Sequence, residues 1–394
     1  MLNKPLDQIT KEDIEALVAD QVAEGKHIEY KEQIPGTSDG DKKEFLADIS
    51  SLANAGGGHL LFGIKEKRNN ENQATGIPES VEGLEGVNPD NEISRLESMI
   101  LAGIEPRTLG FHSLPMNGFP KGPIIIIYIP KSWIGPHMVT YKNTSRFYSR
   151  TSNGKYQLDV DEIRSSFLRS EGVYKKISRF RNERLDLMLR GENPVTDESK
   201  PAVVLHLVPL GFEDPSMAVD VAAKENVLRQ IQPLYSSAST YRFNFYGYMI
   251  SSLDASGRMI AYSQFYRSGI NETVSGRLIR IFEGAKSIPN VAFVQNIVSV
   301  LRNLITVYRQ LEIEGPFLLF LTLLRVKGYF LYISPYDDST PIEKENLFFS
   351  EIVIENFDEP PEKILRPLFD MVWQSCGYPK CHHYDDNGNW LNPR

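Results

Sequence analysis

The chain has 394 residues, more than one ordinary hydrophobic core holds, so two domains are expected. Apolar residues make up 41% and charged residues 24%, a balance that excludes global disorder, while the net charge of -8 argues against a polyanionic partner for the chain taken as a whole. Two cysteines cannot build a disulfide framework, the first ten residues do not read as a secretory signal, and apolar runs such as 124–129 fall short of the roughly 20 residues of a membrane helix; a cytoplasmic protein with no membrane span is expected.

Thr10 followed by Asp13 reads as a capping box, and Ile14, Leu17, Val18 and Val22 recur at helical spacing, which predicts a first helix ending near Glu24. Residues 27–32 alternate as a short strand, and the breaker-rich stretch 35–40 is a loop. Over 41–54, Phe45, Leu46, Ile49, Leu52 and Ala53 lie on one helical stripe, which Gly56-Gly57-Gly58 ends before a buried strand over 59–64. Asn88-Pro89 caps a helix running to about Leu101. The run 124–129 suggests a strand covered on both faces, 147–150 another strand, and a long charged helix starts at Asp159. From Leu101 to Arg190 fifteen Lys and Arg stand against seven acids, an excess of eight positive charges inside an acidic chain, so the objection from net charge does not apply to this segment. The polar, Pro-containing stretch from Gly191 to Pro201 divides a domain over 1–190 from one over 201–394. Beyond it, strands over 202–207, 241–250 and 259–266 precede an apolar helix over 290–311 and strands over 317–324 and 329–333. The predicted class is α+β: a mixed-sheet domain with flanking helices, then a second α+β domain.

The chemistry concentrates near the N-terminus. Glu24 is expected at the end of the first helix, Glu29 on the next strand and Glu66 just past the strand that leaves the glycine turn. With those strands adjacent, three carboxylates converge at one end of a sheet. Such hard oxygen donors suit Mg²⁺ or Mn²⁺, which activate water and neutralise charge on a phosphate. Lys31 stands two residues after Glu29, hence on the same strand face, where it can position a water or stabilise a phosphorane-like transition state. Lys142, Arg146, Tyr148, Arg150 and Lys155, interleaved with Tyr141, Phe147 and Tyr156, form the candidate nucleic-acid surface: cations for phosphates, rings for bases.

The string Glu24-Gly25-Lys26-His27-Ile28-Glu29-Tyr30-Lys31 resembles the acidic segment of the Schlafen family, in which two glutamates five apart lead into an aromatic residue and a lysine. Ile49-Ser50-Ser51-Leu52-Ala53-Asn54-Ala55-Gly56-Gly57-Gly58-His59-Leu60-Leu61-Phe62-Gly63-Ile64 is similar to the family's helix, Ala-Asn, glycine turn and strand, and weaker similarity runs to Phe167, roughly 40% of the chain. The resemblance implies an Alba-like, nucleic-acid-binding domain that in some members cuts RNA. It places the metal-binding acids at Glu24, Glu29 and Glu66, with Lys65-Glu66 standing where the family carries Asp-Asp. It further implies tRNA or another structured RNA as substrate, a homodimer enclosing it, and a C-terminal domain that senses a trigger or partner protein, as in an antiviral effector. The alternatives are a non-catalytic nucleic-acid-binding regulator, a DNA nuclease in view of Glu29-x-Lys31, or a scaffold. The glycine cluster is no phosphate-binding P-loop, because no Gly-Lys-Ser/Thr follows Gly58. At the other end, Cys376, Cys381, His382 and His383 are ligand types that Zn²⁺ takes, but one pair at long spacing and two adjacent histidines argue against a zinc site, which would be structural and stabilise the tail.

Overall fold

A computed structural model describes residues 2, 4, 6–108, 110–195, 200–282, 284–333 and 339–391. The chain forms two compact units, Met1–Lys175 and Lys176–Arg394, each α+β. The first contains α1 (Lys11–Ala19), β1 (Ile28–Lys31), α2 (Asp39–Ala55), β2 (Gly58–Phe62), β3 (Ile64–Arg68), β4 (Ala74–Val81), α3 (Pro89–Gly103), β5 (Ile104–Glu105), β6 (His112–Phe119), β7 (Gly122–Ile129), β8 (Met138–Val139), β9 (Arg146–Thr151) and β10 (Gly154–Gln157), and α4 (Val160–Leu189) starts in it.

β1 and β2 are parallel neighbours, joined through α2, in a sheet ordered β1-β2-β7-β6. Period-two alternation gives that sheet two apolar faces. Ile28, Tyr30, Leu61, Ile124 and Ile126 pack with Ile14 and Leu17 of α1. Leu60, Phe62, Ile125 and Ile127 pack with Phe45, Ile49 and Leu52 of α2 and Leu96 and Ile100 of α3. A second sheet, β10-β9-β8-β5, and the ribbon β3-β4 complete the unit. Asn54 ties α2 to the second sheet: its Nδ2 donates to the carbonyls of His137 (2.9 Å) and Tyr148 (2.8 Å), and its Oδ1 accepts from the His137 N–H (2.7 Å).

The first helix ends five residues before Glu24. Gln21 takes a left-handed backbone (φ 50) that turns the Val22 N–H onto the Leu17 carbonyl, 2.9 Å away. Val22 still packs on the α1 core, so apolar spacing outlives the helix. Likewise β2 stops at Phe62: Gly63 (φ 96) breaks the chain, and Glu66 lies inside β3 rather than beyond a strand end.

The second unit takes the rest of α4 and adds β11 (Ala202–Pro209), α5 (Glu225–Leu228), β12 (Thr240–Phe243), β13 (Gly247–Leu253), β14 (Met259–Tyr266), β15 (Asn271–Ser275), β16 (Arg280–Phe282), β17 (Ala285–Pro289), α6 (Asn290–Gln310), β18 (Phe317–Leu324), β19 (Phe330–Tyr332), β20 (Leu347–Phe348), β21 (Ile352–Ile354) and α7 (Pro361–Gln374). An antiparallel sheet ordered β12-β13-β14-β15-β11-β18-β20 buries one face under α6 and α7. Leu185 and Met188 of α4 pack on Val204, Tyr262 and Val274 of the other face. The division between units therefore falls inside α4, upstream of the composition break at 191–201, of which residues 196–199 lie outside the described residues. The predicted strand over 241–250 is a hairpin, turning at Asn244, whose Oδ1 accepts the N–H groups of Tyr246 (3.0 Å) and Gly247 (2.9 Å). Among the described residues α6, expected as an apolar helix over 290–311, is alone long and apolar enough to cross a membrane; eleven of its residues are buried in this unit, as in a core helix.

Candidate active site

Alternation along β1 sends Ile28 and Tyr30 into the α1 core and turns Glu29 and Lys31 toward α2. Lys31 Nζ lies 2.7 Å from Glu29 Oε1 and 3.4 Å from Asp48 Oδ2 on α2, and Arg150 of β9 pairs with Glu29 Oε2. Lys155 of β10, paired in register with Arg150, reaches Asp48 Oδ1 at 2.8 Å and Glu44 Oε1 at 2.7 Å. Carboxylates and cations thus alternate from β1 across α2 to the second sheet.

Glu24 and Glu66 meet around Gly76. Glu24 Oε1 accepts the Tyr30 N–H at 2.7 Å, its own N–H donates to the Gly76 carbonyl at 2.6 Å, and Glu66 Oε2 accepts the Gly76 N–H at 3.0 Å. Gly76 has φ +70, a backbone conformation that favours glycine, and a Cβ there would meet Glu24 Oε2 at an ordinary contact distance of 3.4 Å.

The charges are unevenly relieved. Burial raises the Glu24 pKa to about 7, and the nearby Glu29 and Glu66 charges add to the rise against the Tyr30 N–H. For Glu29 burial also pushes upward, but Lys31 and Arg150 outweigh it and hold its pKa below the usual range. Asp48, 1% exposed, is raised by burial despite Lys155 and Lys31. Burial works against the Lys31 charge, yet Asp48 and Glu29 carry its pKa above the ordinary lysine value. Lys31 and Asp48 also border a cavity of about 240 Å³ floored by Phe45, Leu60 and Phe62.

Sequence reasoning missed Asp48. The available signal was its position: three residues after Phe45 and four before Leu52, it is a charge inside the apolar stripe of α2. The structure divides the five expected nucleic-acid residues. Arg150, 3% exposed, and Lys155 belong to the carboxylate network, and Tyr148 is half-buried against the α2 core. Lys142 and Arg146 remain in solvent, the first paired with Asp39 at 2.5 Å, the second donating to Gln157 Oε1 at 2.7 Å.

As donors, three carboxylates bearing on one another fit a hard divalent cation. Among the described residues, however, no three such side chains stand ready to hold a metal ion, and both Glu29 oxygens face cationic side chains. A cation at Glu24, Glu29 and Glu66 would have to compete with Lys31 and Arg150. At the C-terminus, Cys376 and Cys381 are buried core residues, the Cys381 thiol being pushed up to about 12 by burial. His382 Nδ1 accepts from Trp373 at 2.8 Å and His383 Nε2 bonds Asn290 Oδ1 at 2.8 Å, so these side chains are engaged in packing.

Residues 24–159 match the family model described as Schlafen, AlbA_2. None of the curated proteins matches the chain. Among solved structures, the N-terminal domain of a RecG-related protein from Nitrosomonas europaea is 20% identical, covering 30% of this chain and 72% of that one, with a TM-score of 0.23. The match relates residues 24–159 to the Schlafen AlbA_2 family, whose function is connected with nucleic acid.

Proposed function

We propose that the first unit is a metal-dependent endoribonuclease acting on tRNA or another structured RNA, with Glu24, Glu29 and Glu66 as the metal-binding acids. The observation that carries this reading is the Glu24 pKa of about 7, raised by burial and by two neighbouring carboxylates. Glu24 is buried within reach of the charges of Glu29 and Glu66, and perturbed carboxylates of this kind mark functional sites. A divalent cation, once bound, supplies charge neutralisation at a phosphate and a more acidic bound water.

The chain's own groups have defined parts. Glu24 holds its proton into the neutral range, and a cation bound there would displace it and keep the carboxylate ionised. Lys31 keeps its charge and can turn from Glu29 toward a phosphate oxygen. Arg150 and Lys155 hold Glu29 and Asp48 in place, while Lys142 and Arg146 can meet the RNA backbone from solvent. A second reading, a regulator that binds nucleic acid without cutting it, draws on the pairing of Glu29 with two cations and is indifferent to divalent metal.

Incubating the full chain with total tRNA, with and without Mn²⁺ or Mg²⁺, beside Glu29→Gln and Glu24→Gln separates the two. Metal-dependent cleavage that falls about 100-fold or more in both variants is expected. Absence of cleavage by the natural chain, or equal cleavage by the variants, overturns the catalytic assignment.

A further inference from the structure

The second unit displays aromatic rings where a self-contained domain would hide them. On the β12–β13 hairpin, Tyr241 is 39% exposed, Phe243 47%, Phe245 90% and Tyr246 48%. This is no loose loop. Asn244 caps its own turn through the Tyr246 and Gly247 N–H groups and donates to Gln264 Oε1 at 2.5 Å, while Arg267 Nη1 donates to the Phe245 carbonyl at 2.7 Å. A rigid turn that holds a phenyl ring in water gains nothing for folding from that ring.

The charge around the rings is of one sign over a long stretch. From Arg229 to Leu253 the sequence contains Arg229 and Arg242 and no acid, and from Met259 to Asn271 it contains Arg267 and no acid. Among the described residues Arg242 and Arg267 pair with no carboxylate: Arg242 reaches Met249 Sδ at 3.5 Å, and Arg267 is held by backbone carbonyls. Arg229 stacks over the Tyr241 ring at 5.1 Å and Arg184 over Tyr246 at 5.7 Å, each also paired with an acid, Glu225 and Glu272 respectively. Exposed rings interleaved with unneutralised arginines complement a chain of phosphates carrying unstacked bases, because every base offers a π-face and every linkage a negative charge. A protein strand added to the β12 edge would use the backbone and would draw nothing from these cations.

We propose that the β12–β13 hairpin of the second unit is a binding platform for single-stranded nucleic acid, with Phe245 and Tyr246 stacking on bases and Arg242 and Arg267 holding phosphates. It is a contact separate from the carboxylate site of the first unit, and its readout is binding, whether or not that site cuts.

The test uses the full chain carrying Glu29→Gln, so that no strand is cut during the measurement, and a fluorescently labelled 12-nucleotide single strand containing 4-thiouridine. Phe245→Ala is expected to weaken binding by about fivefold to a hundredfold, the range of one lost base stack, and Arg242→Ala to lower the salt slope by about one. Photocrosslinking is expected to mark the peptide containing Phe245 and Tyr246, and a duplex of the same sequence to compete poorly. Both substituted side chains are exposed, and circular dichroism of each variant checks that it folds. Unchanged affinity together with crosslinks confined to the first unit overturns the proposal. So does a Phe245→Ala variant whose sedimentation shifts from dimer to monomer while its affinity stays the same, since the rings would then serve self-association.

Discussion

Each unit buries a glutamate against an arginine, and the two solutions differ in what they leave over. In the second unit Glu272, fully buried, receives Arg184 through two bonds of 2.8 Å, His206 at 3.0 Å and the Tyr262 hydroxyl at 2.7 Å. Burial alone would raise its pKa, yet Arg184 and His206 bring it down to about 2. In the first unit Glu29 is held low in the same way, but at Glu24 burial, with the charges of Glu29 and Glu66 added to it, outweighs the Tyr30 N–H and Lys31 and raises the pKa to about 7. A saturated network anchors a helix on a sheet. An unsaturated one stores a demand for a cation or a proton, which is the property a reactive site needs.

Arg184→Ala breaks the saturated network most sharply, since it strands Glu272 where water does not reach. A loss of about 3–5 kcal/mol is expected in urea or thermal unfolding. A loss below about 1 kcal/mol would show that His206 and Tyr262 suffice without the arginine. Next in size is Asn54→Ala, which removes three bonds between α2 and the second sheet, including the one accepted from a backbone N–H. About 2–3 kcal/mol is expected, with the loss confined to the transition of the first unit. The same substitution leaves Glu29 and Lys31 intact, so it separates stability from activity.

Glu24→Gln tests the surplus itself. The folded state binds this proton more tightly than the unfolded chain, whose glutamate keeps the ordinary value of 4.5. The contribution to stability is therefore full below about pH 4.5 and is lost as pH rises through about 7. Relative to Glu24→Gln, the natural chain should lose roughly 1–2 kcal/mol between pH 5 and 8, after allowance for partial solvent screening. Addition of Mn²⁺ at pH 8 should restore part of that loss in the natural chain and none in the variant, read by thermal unfolding. Parallel pH profiles for the two proteins would remove the argument that the three acids act on one another.

Much of this was legible in the sequence because it is local. The capping box at Thr10, the cap at Asn88, the glycine stop after α2 and the two faces of β1 follow from spacing alone, and adjacency of β1 and β2 follows from a helix of crossover length between them. The shared strand face of Glu29 and Lys31 was readable for the same reason. What escaped depends on partners far along the chain. Glu66 was expected beside Glu24 from a strand end, whereas it lies inside β3 and reaches Glu24 through the β3–β4 pairing that puts Gly76 between them. Asp48 looks like any helix carboxylate until Lys155, more than a hundred residues later, is folded onto it. The end of α1 escaped through a left-handed Gln21, a conformation that side-chain patterns do not announce. The hairpin inside 241–250 hid in an aromatic-rich run, with Asn244 and Gly247 its marks.

The smallest effect is expected from Arg146→Ala, and its value lies in the contrast with Arg150. Both sit on β9, four residues apart and on the same side by alternation, and the sequence offers nothing to tell them apart. Arg150 lies beneath the sheet surface against Glu29, so its charge is already spent on a carboxylate. Arg146 stands in solvent with a neutral partner, Gln157, and its charge remains open to a phosphate. Replacing it should change stability by less than about 0.5 kcal/mol. The plot of RNA affinity against salt concentration should nevertheless lose about one unit of slope, because one counterion-releasing contact is gone. An unchanged slope would mean that RNA approaches the first unit from a side that Arg146 does not face, and the search for phosphate contacts would move to Lys142.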